Sequence, residues 1–189
     1  MRVVLLLALM CGVARADVLE PGRHRLVEVS VEVEPTTGLC PAGEKYAKQQ
    51  IEEQSIPVLS CEGPCIRGEI ARQAANRIGK QPPFSRACQG EALTVPHSAM
   101  ARWVREARKV VVVDGCFLRC QARMMRRMLR PDQLVEIDAL PLYRKYVDRF
   151  EIDSVPEAER NAVAEEVAHS VLAKLAPLGD SASRVQHGT

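Results

Sequence analysis

The stretch Lys109-Val110-Val111-Val112-Val113-Asp114-Gly115-Cys116 decides the fold. Four successive valines leave no polar face for solvent, so the segment reads as a strand covered on both sides. That is the pattern of a parallel sheet between two layers of helices. Gly115 turns the chain out of the strand. A helix is predicted from Cys116 to about Arg130, where Pro131 ends it.

The same unit occurs upstream. Ile56-Pro57-Val58-Leu59-Ser60 reads as a short apolar strand ending in the turn Cys61-Glu62-Gly63-Pro64-Cys65. A helix follows, with Ile66, Ile70, Ala74 and Ile78 at four-residue steps along one face and Gly79 as its stop. Pro82-Pro83 opens a loop that carries Cys88. Leu93-Thr94-Val95 reads as a short strand, and after Pro96 a second helix places Met100, Trp103, Val104 and Ala107 on one face. Leu134 to Ile137 reads as another strand. Ser154-Val155-Pro156-Glu157 has the form of a capping box opening a long last helix, whose core face carries Val163, Val167, Val171 and Leu175. This succession predicts an α/β fold: a single three-layer domain with a mostly parallel sheet and cysteines on the strand-to-helix loops. Right-handed crossovers bring those loops to one edge. It is the carboxyl edge, where ligands bind in such sheets.

A chain of 189 residues suits one domain with extensions, and buries enough apolar surface to fold without cross-links. Residues 1–16 read as a signal peptide: Arg2, an uncharged apolar run from Val3 to Val13, and Ala14-Arg15-Ala16 as the cleavage site before Asp17. The run is too short to span a bilayer, so no membrane span is expected in the mature chain. On this reading the protein is exported or periplasmic. It is cytoplasmic if Val3 to Leu9 form a buried strand or the start codon lies downstream. Lys and Arg total 26 against 24 acids, which balance once Arg2 and Arg15 are removed, so no nucleic-acid partner is expected. Residues 17–54 read as an N-terminal extension, with a half-buried strand over Val27, Val29, Val31 and Val33 and a polar helix over Glu44 to Gln54. The main domain covers residues 55–178. Residues 179–189 read as a disordered tail.

Seven cysteines are many for this length. Five follow the pattern Cys61-x3-Cys65, Cys88, Cys116-x3-Cys120. Soft thiolates suit zinc, and a closed tetrahedral site needs four ligands, so a metal ion is the expected partner; iron also takes thiolate sites. A four-residue helical step advances about 6 Å and returns to nearly the same face, so Cys116 and Cys120 are expected to point at one ion. Each pair is also expected near a helix N-terminus, where the dipole lowers thiol pKa. That favours metal binding and redox chemistry alike. A third use is disulfides, in an oxidising compartment.

The segments Ser60 to Asn76, Val95 to Trp103 and Val111 to Cys120 resemble the DGC-domain family of zinc-binding proteins, named for the motif that stands here as Asp114-Gly115-Cys116. The resemblance covers residues 56–175. It implies four cysteines around a metal, by position Cys61, Cys88, Cys116 and Cys120, and no established reaction. Cys65 is an addition to that pattern, and stands as a further ligand, an alternate ligand or a redox partner. Such proteins usually look cytosolic, which the exported-looking N-terminus departs from.

Asp114 can support the cysteine loop by accepting a backbone N–H, or simply cap the next helix. His97 can be a ligand, a proton shuttle or a donor to a thiolate, or an ordinary histidine near a helix cap. Glu62 is a candidate base, with a solvated acid as the plainer reading. Arg119, Arg123, Arg126, Arg127 and Arg130 form a basic stripe that can offset thiolate charge, meet an anionic ligand or face solvent. Met124, Met125 and Met128 are expected in the core. Cys40 can reach the site only if the extension folds over it. No phosphate-binding glycine loop with its lysine, no G-x-S-x-G and no H-E-x-x-H occurs. The leading expectation is therefore a zinc-thiolate protein acting as metal sensor, carrier or structural module. The alternative is a thiol or persulfide redox protein using Cys61/Cys65 and Cys116/Cys120.

Overall fold

A computed structural model describes residues 32–186, with side chains through Leu178. The proposed signal peptide, Cys11, most of the alternating strand and residues 187–189 lie outside the described residues. The chain divides into Met1–Glu34 and Pro35–Thr189. Of the first unit residues 32–34 are described, and they are exposed and irregular.

The valine run forms β3 (Val110–Asp114), and every residue in it is buried. Val111 and Val113 enter one core, Val110 and Val112 the other, so the strand is covered on both faces as its sequence demands. β1 (Ile56–Ser60) is equally buried and pairs with β3 in parallel, Val58 opposite Val111. β2 (Phe84–Arg86) flanks β1 and β4 (Leu134–Asp138) flanks β3, both parallel, giving the order β2-β1-β3-β4.

α2 (Ile66–Ile78) lays Ile66, Ile70, Ala74 and Ile78 against one face of the sheet, and α7 (Glu157–Gln186) packs beside it with Val163, Val167, Val171 and Leu175. The other face is covered by α1 (Pro41–Glu52), α3 (Gln89–Thr94), α4 (Ala99–Glu106) and α5 (Cys120–Met125), through Ala47, Ala92, Met100, Trp103, Val104, Ala122 and Met125. α6 (Leu140–Tyr143) follows β4. The result is the expected three-layer α/β domain. The chain leaves β1 for β2 on one side and later places β3 on the other. The β1 and β3 loops therefore lead to helices on opposite faces. Such a switch point opens a crevice beyond the strand ends.

Several local expectations are corrected. Leu93-Thr94-Val95 does not form a strand, because residues 89–94 close α3 behind Cys88. β2, three residues long, was not expected; it is too short to show a period. α5 is six residues rather than fifteen: it starts only at Cys120, and beyond Met125 three-residue bonds from Arg127 to Met124 and from Met128 to Met125 break the helical ladder before Pro131. Met124 is exposed and Met128 only partly buried, leaving Met125 in the core. Ser154 ends a 3-10 turn and donates to the Glu151 carbonyl, so the capping box does not form. The backbone of residues 179–186 continues α7, where the composition predicts a disordered tail.

The helix expected in the extension is α1, and it belongs to the compact unit rather than leading to it. Ala47 and Gln50 are buried, Tyr46 meets the Trp103 ring edge-on at 6.0 Å, and Glu44 accepts the Ala99 N–H at 2.5 Å. Its weak apolar stripe concealed this, because polar and aromatic contacts hold it as much as burial does.

Candidate functional site

Cys61 directly follows β1, and its N–H extends the ladder to the Val113 carbonyl at 2.9 Å. Cys116 lies two residues beyond β3 and Cys88 two beyond β2. The three neighbouring strands thus deliver their cysteines to one edge. Cys65 is the N-cap of α2, its sulfur accepting the Gly68 N–H at 3.3 Å. Cys120 opens α5. Cys61, Cys65 and Cys116 are half-buried; Cys88 and Cys120 are exposed; none of the six described cysteines is in a disulfide.

The Asp114-Gly115-Cys116 segment has a mechanical reading. Asp114 is 2 % exposed, and its two oxygens accept the N–H groups of Gln121 (3.0 Å) and Ala122 (2.9 Å). It caps α5 from the end of the strand, a task its N-cap residue, Arg119 in the left-handed region, does not perform. The capping reading of Asp114 holds, and the cap fixes the start of α5, where Cys120 stands. Gly115 sits against the first turn of α2, where an added Cβ would lie 2.1 Å from the Arg67 carbonyl oxygen. Its glycine is a requirement of close approach. Replacing Asp114 with alanine strands two N–H groups and is expected to cost about 2 kcal/mol. The urea midpoint measures this, and an unchanged midpoint would show that water replaces the carboxylate freely.

Cys116 and Cys120 are not one helical turn apart. The Arg119 N–H bonds to the Cys116 carbonyl in a tight turn, and the helix begins only afterwards. Among the described residues no group of three or more His, Cys, Asp or Glu side chains is arranged to hold a metal ion. The cysteines share an edge without enclosing a common point.

The expected lowering of thiol pKa does not hold for Cys61. Burial pushes its thiol up, the Gly63 and Gly115 N–H groups only partly offset this, and the Asp114 charge adds to the rise. Cys61 precedes α2 by five residues, outside the reach of the helix dipole. Alkylation of Cys61 in metal-free protein is therefore expected to half-rise at a pH above that of an ordinary thiol; a midpoint below it would reverse this assignment.

The remaining candidates disperse. His97 is exposed, just before the α4 N-cap Ser98, in a shallow pocket with Glu44, Lys48 and Arg102, and is not gathered with the cysteines. Glu62 accepts from Ser60 at 2.7 Å and pairs with Arg86 at 3.0 Å, so it is held as a structural carboxylate. The arginine stripe is largely paired: Arg126 with Glu136, Arg119 with Glu136 and Asp138 (3.8 Å each), Arg130 with Asp132. Cys40 caps α1, and Gly43, three residues on, sits against Glu91, three residues beyond Cys88. The extension therefore does fold toward the Cys88 corner.

Two residues at this edge had no signal in the sequence. Tyr143, 8 % exposed, lies within electrostatic range of Arg67, Cys65 and Cys116, and its hydroxyl has no hydrogen-bond partner. The buried Nε of Arg67 has none either. Arg67 looked like any polar residue in a first helical turn, and Tyr143 sits in a segment with no period. Phe117, Leu118 and Phe150 are exposed; the first two lie between Cys116 and Cys120, and Phe150 accepts the Ile66 N–H beside Cys65.

The family model described as DGC domain matches residues 57–167, more than half of the chain. No curated protein matches the chain. No solved structure matches it either.

Proposed function

Because this chain belongs to the DGC-domain family, we propose that it is a zinc-binding protein whose ligands are the thiolates of Cys61, Cys88, Cys116 and Cys120. One observation carries the reading: the free thiols of Cys61, Cys88 and Cys116 stand one or two residues beyond the carboxyl ends of three adjacent parallel strands, at the switch point of the sheet, and that of Cys120 opens the helix after the last of them. The donor set suits zinc, or iron as the alternative ion. Neighbouring strands are about 4.8 Å apart and Zn–S bonds about 2.3 Å long. Cys88 and Cys116, two strands apart, must therefore lean toward Cys61 on the central strand to share an ion. All four stand on loops or helix starts rather than inside strands, where such adjustment is least costly. Bound there, the ion supplies a cross-link between the loops and makes the thiolates less available to oxidants.

The exposure of Cys88 and Cys120 favours an exchangeable ion, as in a carrier or sensor, over a sealed structural one. The accompanying proposal on location is export after cleavage at Ala16, which N-terminal sequencing of protein taken from cells decides.

A second reading, a thiol or persulfide redox protein, draws on the Cys61/Cys65 loop, where the two thiols feel each other and Cys65 takes a helix N–H. Elemental analysis and thiol titration separate the two. The zinc reading expects about one equivalent of metal and thiols that react only after chelation. Metal-free protein with reversibly forming Cys61–Cys65 or Cys116–Cys120 disulfides would replace it with the redox reading.

A further inference from the structure

We propose that Arg67 and Tyr143 form a receptor for a small oxyanion, held beside the thiols of Cys65 and Cys116 at the carboxyl edge of the sheet. The receptor goes beyond the metal reading. It uses no cysteine as a ligand and stands whether or not zinc is bound.

Two donors without acceptors carry the proposal. The Arg67 Nε–H and the Tyr143 O–H are both buried, and neither finds a partner. Buried donors in native proteins are nearly always satisfied, and the Arg67 charge lies within electrostatic range of Tyr143, so one acceptor can answer both. Electrostatics then chooses the kind of acceptor. The Arg67 side chain carries a positive guanidinium, yet forms no hydrogen bond or ion pair with a described residue. It is the second residue of a 13-residue helix, where the dipole adds positive character. A water molecule answers the two donors but not the charge; an oxyanion answers both.

The nearby acids are otherwise engaged or exposed. Asp138 accepts the Leu140 N–H at 3.1 Å and lies 3.8 Å from Arg119, and Glu151, whose backbone bridges to Cys65, is exposed. Tyr143 is held by its place in the α2–α7 core, and the Arg67 backbone by the close approach of Gly115. The receptor is thus built on fixed elements, with the thiols as its neighbours.

The test is calorimetric titration of the purified full chain with inorganic phosphate, then sulfate and acetate, alongside Arg67→Met and Tyr143→Phe, with zinc content measured on every sample. Saturable binding of at least one of these anions is expected. Arg67→Met should weaken it about tenfold or more and Tyr143→Phe about three- to tenfold, with zinc content unchanged. Should Arg67→Met not fold, Tyr143→Phe, which removes an oxygen without a protein partner, carries the test. Binding that both variants leave intact, or no saturation by any of the three anions, overturns the proposal. Loss of zinc from Arg67→Met without effect on anion binding also overturns it, and makes Arg67 a counter-charge for the thiolates.

Discussion

Gly115→Ala lowers the stability of the domain by roughly 3 kcal/mol, moving the urea midpoint down by about 1–2 M. The cause is steric. A Cβ at this position stands 2.1 Å from the oxygen and 2.5 Å from the carbon of the Arg67 carbonyl, and 3.0 Å from the Gly68 nitrogen. These are backbone atoms in the first turn of a buried helix, so no side chain can swing aside. Relief requires moving the β3 loop away from α2, which also carries Cys116 away from Cys61 and Cys65. Gly90→Ala is the matched control: nothing lies within 4 Å of its Cβ, and alanine in α3 is expected to raise stability by a few tenths of a kcal/mol. Equal midpoints for the two variants would remove close approach as the reason for glycine in the Asp-Gly-Cys motif.

Cys116→Ser is expected to reduce bound zinc from about one equivalent to less than about a tenth at micromolar protein, because one of four thiolates is replaced by a weak neutral donor. The loss exceeds the roughly 10–100-fold that changes around a ligand usually cost. Cys61→Ser should behave alike, while Cys65→Ser should keep its metal. Its position is additional to the four-cysteine pattern, and it stands at the N-cap of α2 rather than directly at a strand end. The measurement is zinc per chain by elemental analysis, after dialysis against a weak chelator. If Cys65→Ser empties the site and Cys88→Ser does not, the ligand set becomes Cys61, Cys65, Cys116 and Cys120, on the two central loops alone. Full zinc retention by every single variant would end the metal reading.

Much of the fold could be read from strong local patterns. Val110 to Val113 are legible because covering both faces of a strand removes every polar position, and no other element tolerates that in water. Ile66, Ile70, Ala74 and Ile78 are legible because a helix must turn one stripe toward the core. The failures cluster where a tertiary contact replaces a local rule. Cys116 to Leu118 form no helix because Asp114 caps the chain later, at Gln121 and Ala122, from the end of a strand. α1 joins the body through Tyr46, Glu44 and Ala47, contacts that no period announces.

The candidate site divides in the same way. By itself the sequence determined the α/β class, the two buried central strands, and the placement of Cys61 and Cys116 at strand ends, since hydrophobic period and turn residues are properties of short segments. Only the tertiary structure decided that Cys88 stands just beyond a third adjacent strand, that Gly115 exists to admit the Arg67 carbonyl, and that Arg67 and Tyr143 are left with unmet donors beside the thiols. Those facts depend on distances between residues far apart in the chain. Such distances are set by how sheet and helices pack, and no local pattern encodes them.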